Sequence, residues 1–342
     1  MTGRSMRMVR IHGPGRVSLD SVPEPDCGLR DVLVRVSRCG LCGSDLGYIR
    51  TGGVAAPAHE PFGIGHELSG TIERVGAEVR GISPGLRVVV NPMGDGNGIG
   101  AGVPEGAFAP LLRVADATLG GAIHAIPDHV DWDAAALAEP LGVALHAVRR
   151  SGATPDDKVA VFGVGPIGLG IVFFLKRLGM GHVVAVDRSA GRLARARRLG
   201  ADLCVDAGAG DVAEALGDAH GRGDLFGWPT VGTNLYFEAS GAPSVLPAIV
   251  GMAPFHARAV MVAVHHDPIA IDWKMALGKE MSFLTSMAYP DEFPEVVAAI
   301  AEPGFDADAF ISHRVPLSRF DEALAAARDT NGSAKVMVAC DG

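Results

Sequence analysis

Apolar residues fall along the chain in two rhythms. Over the first hundred residues they form short β-branched clusters between Gly and Pro turns: Asp31 to Ser37 (DVLVRVS), Gly70 to Val75 and Arg87 to Asn91. Clusters of this kind predict short strands. From about Pro140 the rhythm lengthens. Lys158 to Gly163 (KVAVFG) predicts a buried strand, Ile167 to Leu178 a helix and His182 to Asp187 (HVVAVD) a second strand. Ala190 to Leu199 reads as a charged amphipathic helix and Leu203 to Asp206 as a third strand. Further strands are predicted at Asn234 to Ala239, Ala259 to Val264 and Ser282 to Ser286. Strands alternating with helices build a parallel sheet with covered faces. After Tyr289, a helix (Phe293 to Ala301) and the segments Phe310 to Val315 and Lys335 to Ala339 resume the earlier style. The expected architecture is α/β: a discontinuous first domain, 1–145 and 282–342, interrupted by a doubly wound domain at 146–281.

Composition narrows the class. With 48% apolar and 20% charged residues in 342, wholesale disorder is excluded. Gly 46 and Pro 22 make up a fifth of the chain, which implies many tight turns. The net charge of −9 argues against a nucleic-acid partner, because phosphate neutralisation needs a basic face. The longest uncharged apolar run, Val159 to Leu175, is broken by Pro166 and four glycines, so no membrane partner is expected. The stretch from Met1 to Asp26 has no signal-peptide core. Five scattered cysteines (Cys27, Cys39, Cys42, Cys204, Cys340) form no disulfide framework and point to a reducing cytoplasm. Met93 to Gly102 (MGDGNGIGAG) has glycine at every second position. It reads as a flexible surface turn, with a mobile flap beside a site as the alternative.

Two sets of residues carry chemistry. Gly163-Val164-Gly165-Pro166-Ile167-Gly168 is a G-x-G-x-x-G that follows a buried strand and opens a helix, the context in which the motif binds a dinucleotide. Gly163 permits the tight turn, Gly165 lets backbone N–H groups approach a pyrophosphate, and Gly168 lets the helix pack close. The helix N-terminus faces the anion. Asp187 ends the next strand, where a carboxylate accepts ribose hydroxyls and repels a 2′-phosphate. Arg188 beside it could serve a phosphate, and Arg192 one turn on joins the cofactor-binding set. NAD is favoured over NADP. The other reading of Asp187 is a helix cap.

The second set lies in three fragments: Cys39-Gly-Leu-Cys42-Gly-Ser44-Asp45, Gly65-His66-Glu67 and Ala138-Glu139-Pro140-Leu141. A thiolate, an imidazole and a carboxylate suit tetrahedral Zn²⁺, whose catalytic sites use three protein ligands and keep one position open. His66 and Glu67 are adjacent, so on an extended backbone they point to opposite faces. Both can ligate only if the backbone twists there or another carboxylate takes one place. A lone cysteine is more often a small core residue, and a redox reading of Cys39-x-x-Cys42 lacks a thioredoxin-like setting.

Taken together, these fragments resemble the medium-chain dehydrogenase/reductase family, the zinc-dependent alcohol dehydrogenases. The resemblance runs from Val32 to about Val338. Glu139-Pro-Leu-Gly-Val-Ala-Leu-His and Gly278-Lys-Glu-Met are similar to the polyol, threonine and butanediol dehydrogenase branch. It implies a GroES-like β-barrel catalytic domain with a Rossmann domain inserted near its C-terminal end. It also implies that Cys42, His66 and Glu67 ligate one catalytic zinc, with Glu139 as a fourth or alternating ligand. Cys39 has no ligand counterpart. Ser44 matches a hydroxyl that relays the substrate proton, and Asp45 a residue close behind the metal. The implied reaction is hydride transfer between a secondary alcohol (diol, polyol or hydroxy acid) and NAD, in a homo-oligomer, dimer or tetramer.

The chain departs from that family in two places. No cysteine lies between Cys42 and Cys204, so a four-cysteine structural zinc is excluded, and Met93 to Gly102 occupies its place. Gly223 to Thr233 is longer than the usual link and reads as a surface or interface insertion. The competing readings are a zinc-free quinone or enone reductase of the same fold and a non-catalytic NAD(H)-binding protein. Intact ligand and relay residues count against both. Tyr48, His59, Phe62, Met93 and Tyr289 are candidate pocket residues, with barrel packing as the alternative for each.

Overall fold

The computed structural model describes residues 4–265, 267–289 and 291–341. The chain forms two compact units. One is Met1–Glu139 with Phe293–Asp329 and Lys335–Gly342; the other is Pro140–Glu292 with Thr330–Ala334. These borders differ from the 146–281 read in the sequence. The helix Ala138–Ser151 runs unbroken past the first border. At the second, Ser282–Thr285 hydrogen-bonds in parallel to Arg258–Met261, so the parallel sheet continues beyond 281.

The first unit opens with β1 (Ser5–Gly13) and β2 (Arg16–Pro23), an antiparallel hairpin. Then come β3 (Val32–Leu41), α1 (Gly43–Thr51), the two-residue β4 (Phe62–Gly63) and β5 (Glu67–Val75). β6 (Arg87–Val90), β7 (Leu111–Val114), β8 (Ile123–Ala125) and α2 (Trp132–Ala136) follow. β3 organises the larger sheet. One edge pairs with β5; the other is shared, Val32 to Arg35 pairing with β7 and Arg38 to Leu41 with the C-terminal strand. Its apolar positions Val32, Val34 and Val36 sit in one core with Ile72, Val88, Phe108 and Phe320. The Phe108 and Phe320 rings are 5.0 Å apart, so a segment from the chain's end closes this core. Truncating either ring to Ala should cost roughly 3–5 kcal/mol.

α3 (Ala138–Ser151) leads into β9 (Lys158–Phe162), α4 (Pro166–Arg177), β10 (His182–Asp187), α5 (Ala190–Arg198), β11 (Leu203–Asp206) and α6 (Val212–His220). Next come β12 (Arg222–Leu225), β13 (Trp228–Val231), β14 (Leu235–Glu238), α7 (Val245–Met252), β15 (Arg258–Met261), α8 (Trp273–Gly278) and β16 (Ser282–Thr285). Six strands form one parallel sheet in the order β11-β10-β9-β14-β15-β16. The order reverses between β9 and β14, and doubly wound sheets take their ligands at such a switch point, outside the C-terminal strand ends. β9 ends there at the glycine turn. The insertion noted at 223–233 is the separate hairpin β12–β13, turning at Phe226 and Gly227, both at positive φ. The first unit is completed by α9 (Phe293–Ile300), β17 (Ile311–Pro316), α10 (Phe320–Arg328) and β18 (Lys335–Ala339), with β17 and β18 parallel.

Candidate metal and dinucleotide sites

Cys42 is the N-cap of α1, held in extended backbone where β3 gives way to helix. Its backbone N–H donates to Asp45 Oδ2 at 2.9 Å. The other oxygen of Asp45 accepts the Gly65 N–H at 3.2 Å and lies 3.5 Å from His66 Nδ1. A single buried carboxylate therefore ties the cysteine segment to the histidine segment. It also lies beside Nδ1, which leaves Nε2 as the ring nitrogen that could face a metal.

The sequence left open how His66 and Glu67 face one site. Gly65 has φ +91°, and a Cβ there would stand 2.7 Å from the Phe108 ring. This left-handed residue turns the backbone immediately before β5, so the alternation of a regular strand does not apply to His66. One ligand atom each from Cys42, His66 and Glu67 then lies within 4.8 Å of the other two. Glu139, near the start of α3, is buried but is not a member of this group.

Glu67 is wholly buried opposite Gly40 on β3, where a Cβ would come within 2.1 Å of Oε2. Lys335 lies 2.5 and 2.6 Å from its two oxygens and also donates to the Leu41 carbonyl at 3.2 Å. Burial works against the Lys335 charge. Glu67 first, then Cys42 and Glu139, outweigh it and raise the pKa. Lys335 was not anticipated, because a lysine at the start of a strand reads as a solvated end. Its signal was a charge leading the otherwise apolar run KVMVA.

The donor set suits a cation. Burial of His66 disfavours its protonated form, yet Asp45 and Cys42 prevail and raise its pKa well above the usual imidazole range. The Asp45 carboxylate and the Cys42 sulfur, which favour positive charge on His66, would favour a metal cation beside it as well. A carboxylate has lone pairs enough to hold Lys335 on one side and a metal on the other. Zinc ligated by S, N and O at about 2.0–2.3 Å places its ligands roughly 3.5 Å apart, a spacing this group can reach.

Ser44 Oγ lies 3.5 Å from His66 Nε2. Tyr48, half-buried on α1, has its phenol pKa raised by burial, with His66, Asp45, Cys42 and Ser44 as its electrostatic neighbours. Of the other pocket candidates, Phe62 belongs to the core, while His59 and Met93 are exposed. Tyr289, buried in the second unit, packs its ring against Gly142. Cys39 is fully buried beside Gly65 and acts as packing.

Met93 to Gly102 is not a free turn. Asp95 accepts bonds from Thr118 N, Thr118 Oγ1 and Ala122 N, each at 2.8 Å. Asn97 exchanges bonds with Ala115 in both directions at 3.0 and 3.1 Å. Ile99 is core, so the reading as a flexible turn is corrected: the segment is a surface turn, with Met93, Asp95 and Gly96 exposed, but a fastened one. Gly94 and Gly100 serve close approach, to the Ala122 and Gly65 backbones.

In the second unit, Gly163 has φ +83° and lies against the Ser240 backbone, and a Cβ on Gly168 would stand 1.9 Å from the Gly163 carbonyl oxygen. Gly165 caps α4, with Pro166 as its first residue and Ile167 next. Asp187 Oδ2 accepts the Val164 N–H at 2.8 Å and Oδ1 the Ser189 N–H at 2.9 Å. The carboxylate thus fastens the glycine turn to the end of β10. The cap of α5 is Ser189, not Asp187. Arg192 is held by Nε donation to the Ser333 carbonyl at 2.7 Å, with Nη1 beside Gly165. Arg188 is exposed, its Nε near Gly208.

Comparison with known proteins agrees with this architecture. Residues 28–126 match the alcohol dehydrogenase GroES-like domain and residues 166–302 the zinc-binding dehydrogenase domain. Human sorbitol dehydrogenase is 30% identical over 352 residues, covering 97% of this chain and 95% of its own. The crystal structure of 2R,3R-butanediol dehydrogenase from Bacillus subtilis aligns with TM-score 0.86 and 29% identity, covering 98% of this chain and 99% of its own. L-idonate 5-dehydrogenase from Escherichia coli aligns with TM-score 0.83 and 25% identity, covering 98% of each chain. The chain belongs to the zinc-dependent medium-chain dehydrogenase/reductase family and is an alcohol oxidoreductase that uses a nicotinamide cofactor. No helix among the described residues is long and apolar enough to cross a membrane.

Proposed function

We propose that this enzyme oxidises a secondary alcohol of the diol, polyol or hydroxy-acid type to its ketone and passes the hydride to NAD. One zinc per chain is held by Cys42, His66 and Glu67, with Glu139 as the alternating carboxylate. The observation that carries the reading is the convergence of those three donors within 4.8 Å, with the Ser44 hydroxyl beside His66. When bound, zinc supplies Lewis acidity that makes an alcohol easier to deprotonate. The remaining work falls to the protein. Asp45 orients His66 and the Cys42 backbone. Lys335 neutralises Glu67 and keeps that carboxylate in place. Ser44 Oγ receives the substrate hydroxyl proton and hands it outward.

The substrate class is supported by the activities of the relatives, sorbitol and butanediol dehydrogenases, whose polyol and diol substrates carry secondary hydroxyls. For the cofactor, both Asp187 oxygens already accept one backbone N–H and keep lone pairs for a ribose diol. A 2′-phosphate at that point would meet an anion. Arg192 beside the glycine turn supplies a cation for the pyrophosphate, and the exposed Arg188 sits next to the ribose carboxylate. A homo-oligomer in the cytoplasm fits the free cysteines and the exposed Phe226, Trp273 and Leu277 of the second unit. A panel of primary and secondary alcohols, diols and polyols, followed by NADH absorbance, tests the proposal. Faster turnover of secondary alcohols is expected. Equal turnover by metal-free enzyme would overturn it.

A further inference from the structure

We propose that the glycine-rich segment 93–102 is a metal-free brace for the zinc ligand His66, with Asp95 and Asn97 as positioning residues and Gly100 as the point of contact. The inference rests on the reading of Cys42, His66 and Glu67 as a zinc site. In a chain with no cysteine between Cys42 and Cys204, hydrogen bonds must do the fastening.

At the outer end of the segment, Asp95 adopts φ +53°, a backbone region that costs a non-glycine residue energy. Three bonds into one carboxylate hold it there, the charge-assisted kind roughly twice as strong as neutral bonds. Asn97 adds two bonds to Ala115 and a third from Nδ2 to the Gly94 carbonyl at 3.0 Å. The segment is thereby fastened to the residues between β7 and β8.

At the inner end, Ile99 is buried in the core and its N–H donates to the Pro92 carbonyl at 3.1 Å. The Gly100 N–H donates to the Glu105 carbonyl at 2.9 Å. Gly100 has φ +72° and lies on the Gly65 peptide, so a Cβ there would stand 2.5 Å from the Gly65 carbonyl oxygen. That oxygen also accepts the Ala107 N–H at 2.9 Å. Gly65 is therefore bonded on both sides, by Asp45 at its N–H and by Ala107 at its carbonyl, with Gly100 packed against that carbonyl. Gly65 is the left-handed residue that aims His66. Loosening the brace releases that peptide, and the imidazole loses its fixed approach to the metal. A positioning error of about 1 Å is enough to cost such a site heavily.

The test uses full-length protein, first without cofactor. Zinc affinity is measured by competition with a chromogenic chelator, and the absorption spectrum of the cobalt-substituted protein reports ligand geometry. Asp95→Asn and Asn97→Ala are expected to weaken zinc binding at least tenfold and to shift the cobalt bands, with NADH binding unchanged. Gly100→Ala is expected to do the same more strongly; where it fails to fold, the other two variants carry the test. Variants with a lowered melting temperature but wild-type zinc affinity and cobalt spectrum would overturn the brace and leave the metal site standing. A wild-type protein that binds no zinc in the same titration would overturn both.

Discussion

Lys335 and Glu67 are 268 residues apart in the chain, yet the lysine ammonium lies 2.5 and 2.6 Å from the two carboxylate oxygens, with both side chains almost fully out of water. Removing one partner of such a buried pair strands the other charge, typically at a cost of 3–5 kcal/mol. Lys335→Met should therefore destabilise the metal-free protein by about 3 kcal/mol. Zinc held at Glu67, as proposed, would supply the missing positive charge, so the metal-loaded variant should lose less. Thermal unfolding with and without chelator checks this. Equal losses in both forms would separate Lys335 from the metal site.

The cofactor preference is expected to follow Asp187. NAD should exceed NADP in kcat/KM by about 100-fold or more, since a like-charge contact costs several kcal/mol. Asp187→Ser should lower kcat/KM for NAD and narrow the gap. It should also loosen the glycine turn, because the Val164 and Ser189 N–H groups lose their acceptor. Steady-state kinetics with both cofactors decides. A wild-type preference for NADP would give the site to Arg188.

Ser44 separates proton transfer from metal binding. Ser44→Ala should keep zinc content and NADH affinity and lower kcat by something like 10²- to 10⁴-fold, the usual size of a positioned proton transfer. Ser44→Thr should retain most activity, since the hydroxyl remains. A lowered melting temperature with unchanged turnover in Ser44→Ala would make the residue structural.

A pH dependence of stability is built into the second unit. His220 bonds to His182 at 2.8 Å and to Thr233 at 2.7 Å. Burial first, then His182 and Lys158, push its pKa down to about 4. The unfolded chain, with an ordinary imidazole, binds the proton at higher pH than the folded one. This stabilisation is therefore complete above about pH 6.5 and is lost as pH falls toward 4. Urea unfolding of wild type and His220→Gln from pH 4 to 8 should show the extra acid sensitivity in wild type alone. Parallel curves would remove His220 as its source.

How much of this was legible in the sequence depended on distance along the chain. The strand–glycine–helix–strand run from Lys158 to Asp187 is local, and β11 (Leu203–Asp206) was read to the residue. The fragments around Cys42 and His66-Glu67, which the fold brings together, were legible because each carries its donors in a few adjacent positions. What stayed hidden was settled by contacts between distant segments. In the hairpin β1–β2, arginines interrupt the buried Met8, Val9 and Ile11 of β1, and β2 is at most half-buried. In α1, Gly43 and Gly47 mask a nine-residue helix. Lys335 gains its meaning only when β18 lies beside β3. Asp95 and Asn97 look like turn residues until Thr118 and Ala115 are placed against them.

The most direct measurement is the zinc content of protein purified without chelator, compared with Cys42→Ala and Cys39→Ala. One zinc per chain is expected in wild type and in Cys39→Ala, which changes only a core sulfur packed beside Gly65 and bonded to the Gly40 carbonyl, with nearly all of it lost, together with alcohol-dependent NADH formation, in Cys42→Ala. Two tightly bound zincs per chain, or undiminished zinc and activity in Cys42→Ala, would contradict the site assigned to Cys42, His66 and Glu67.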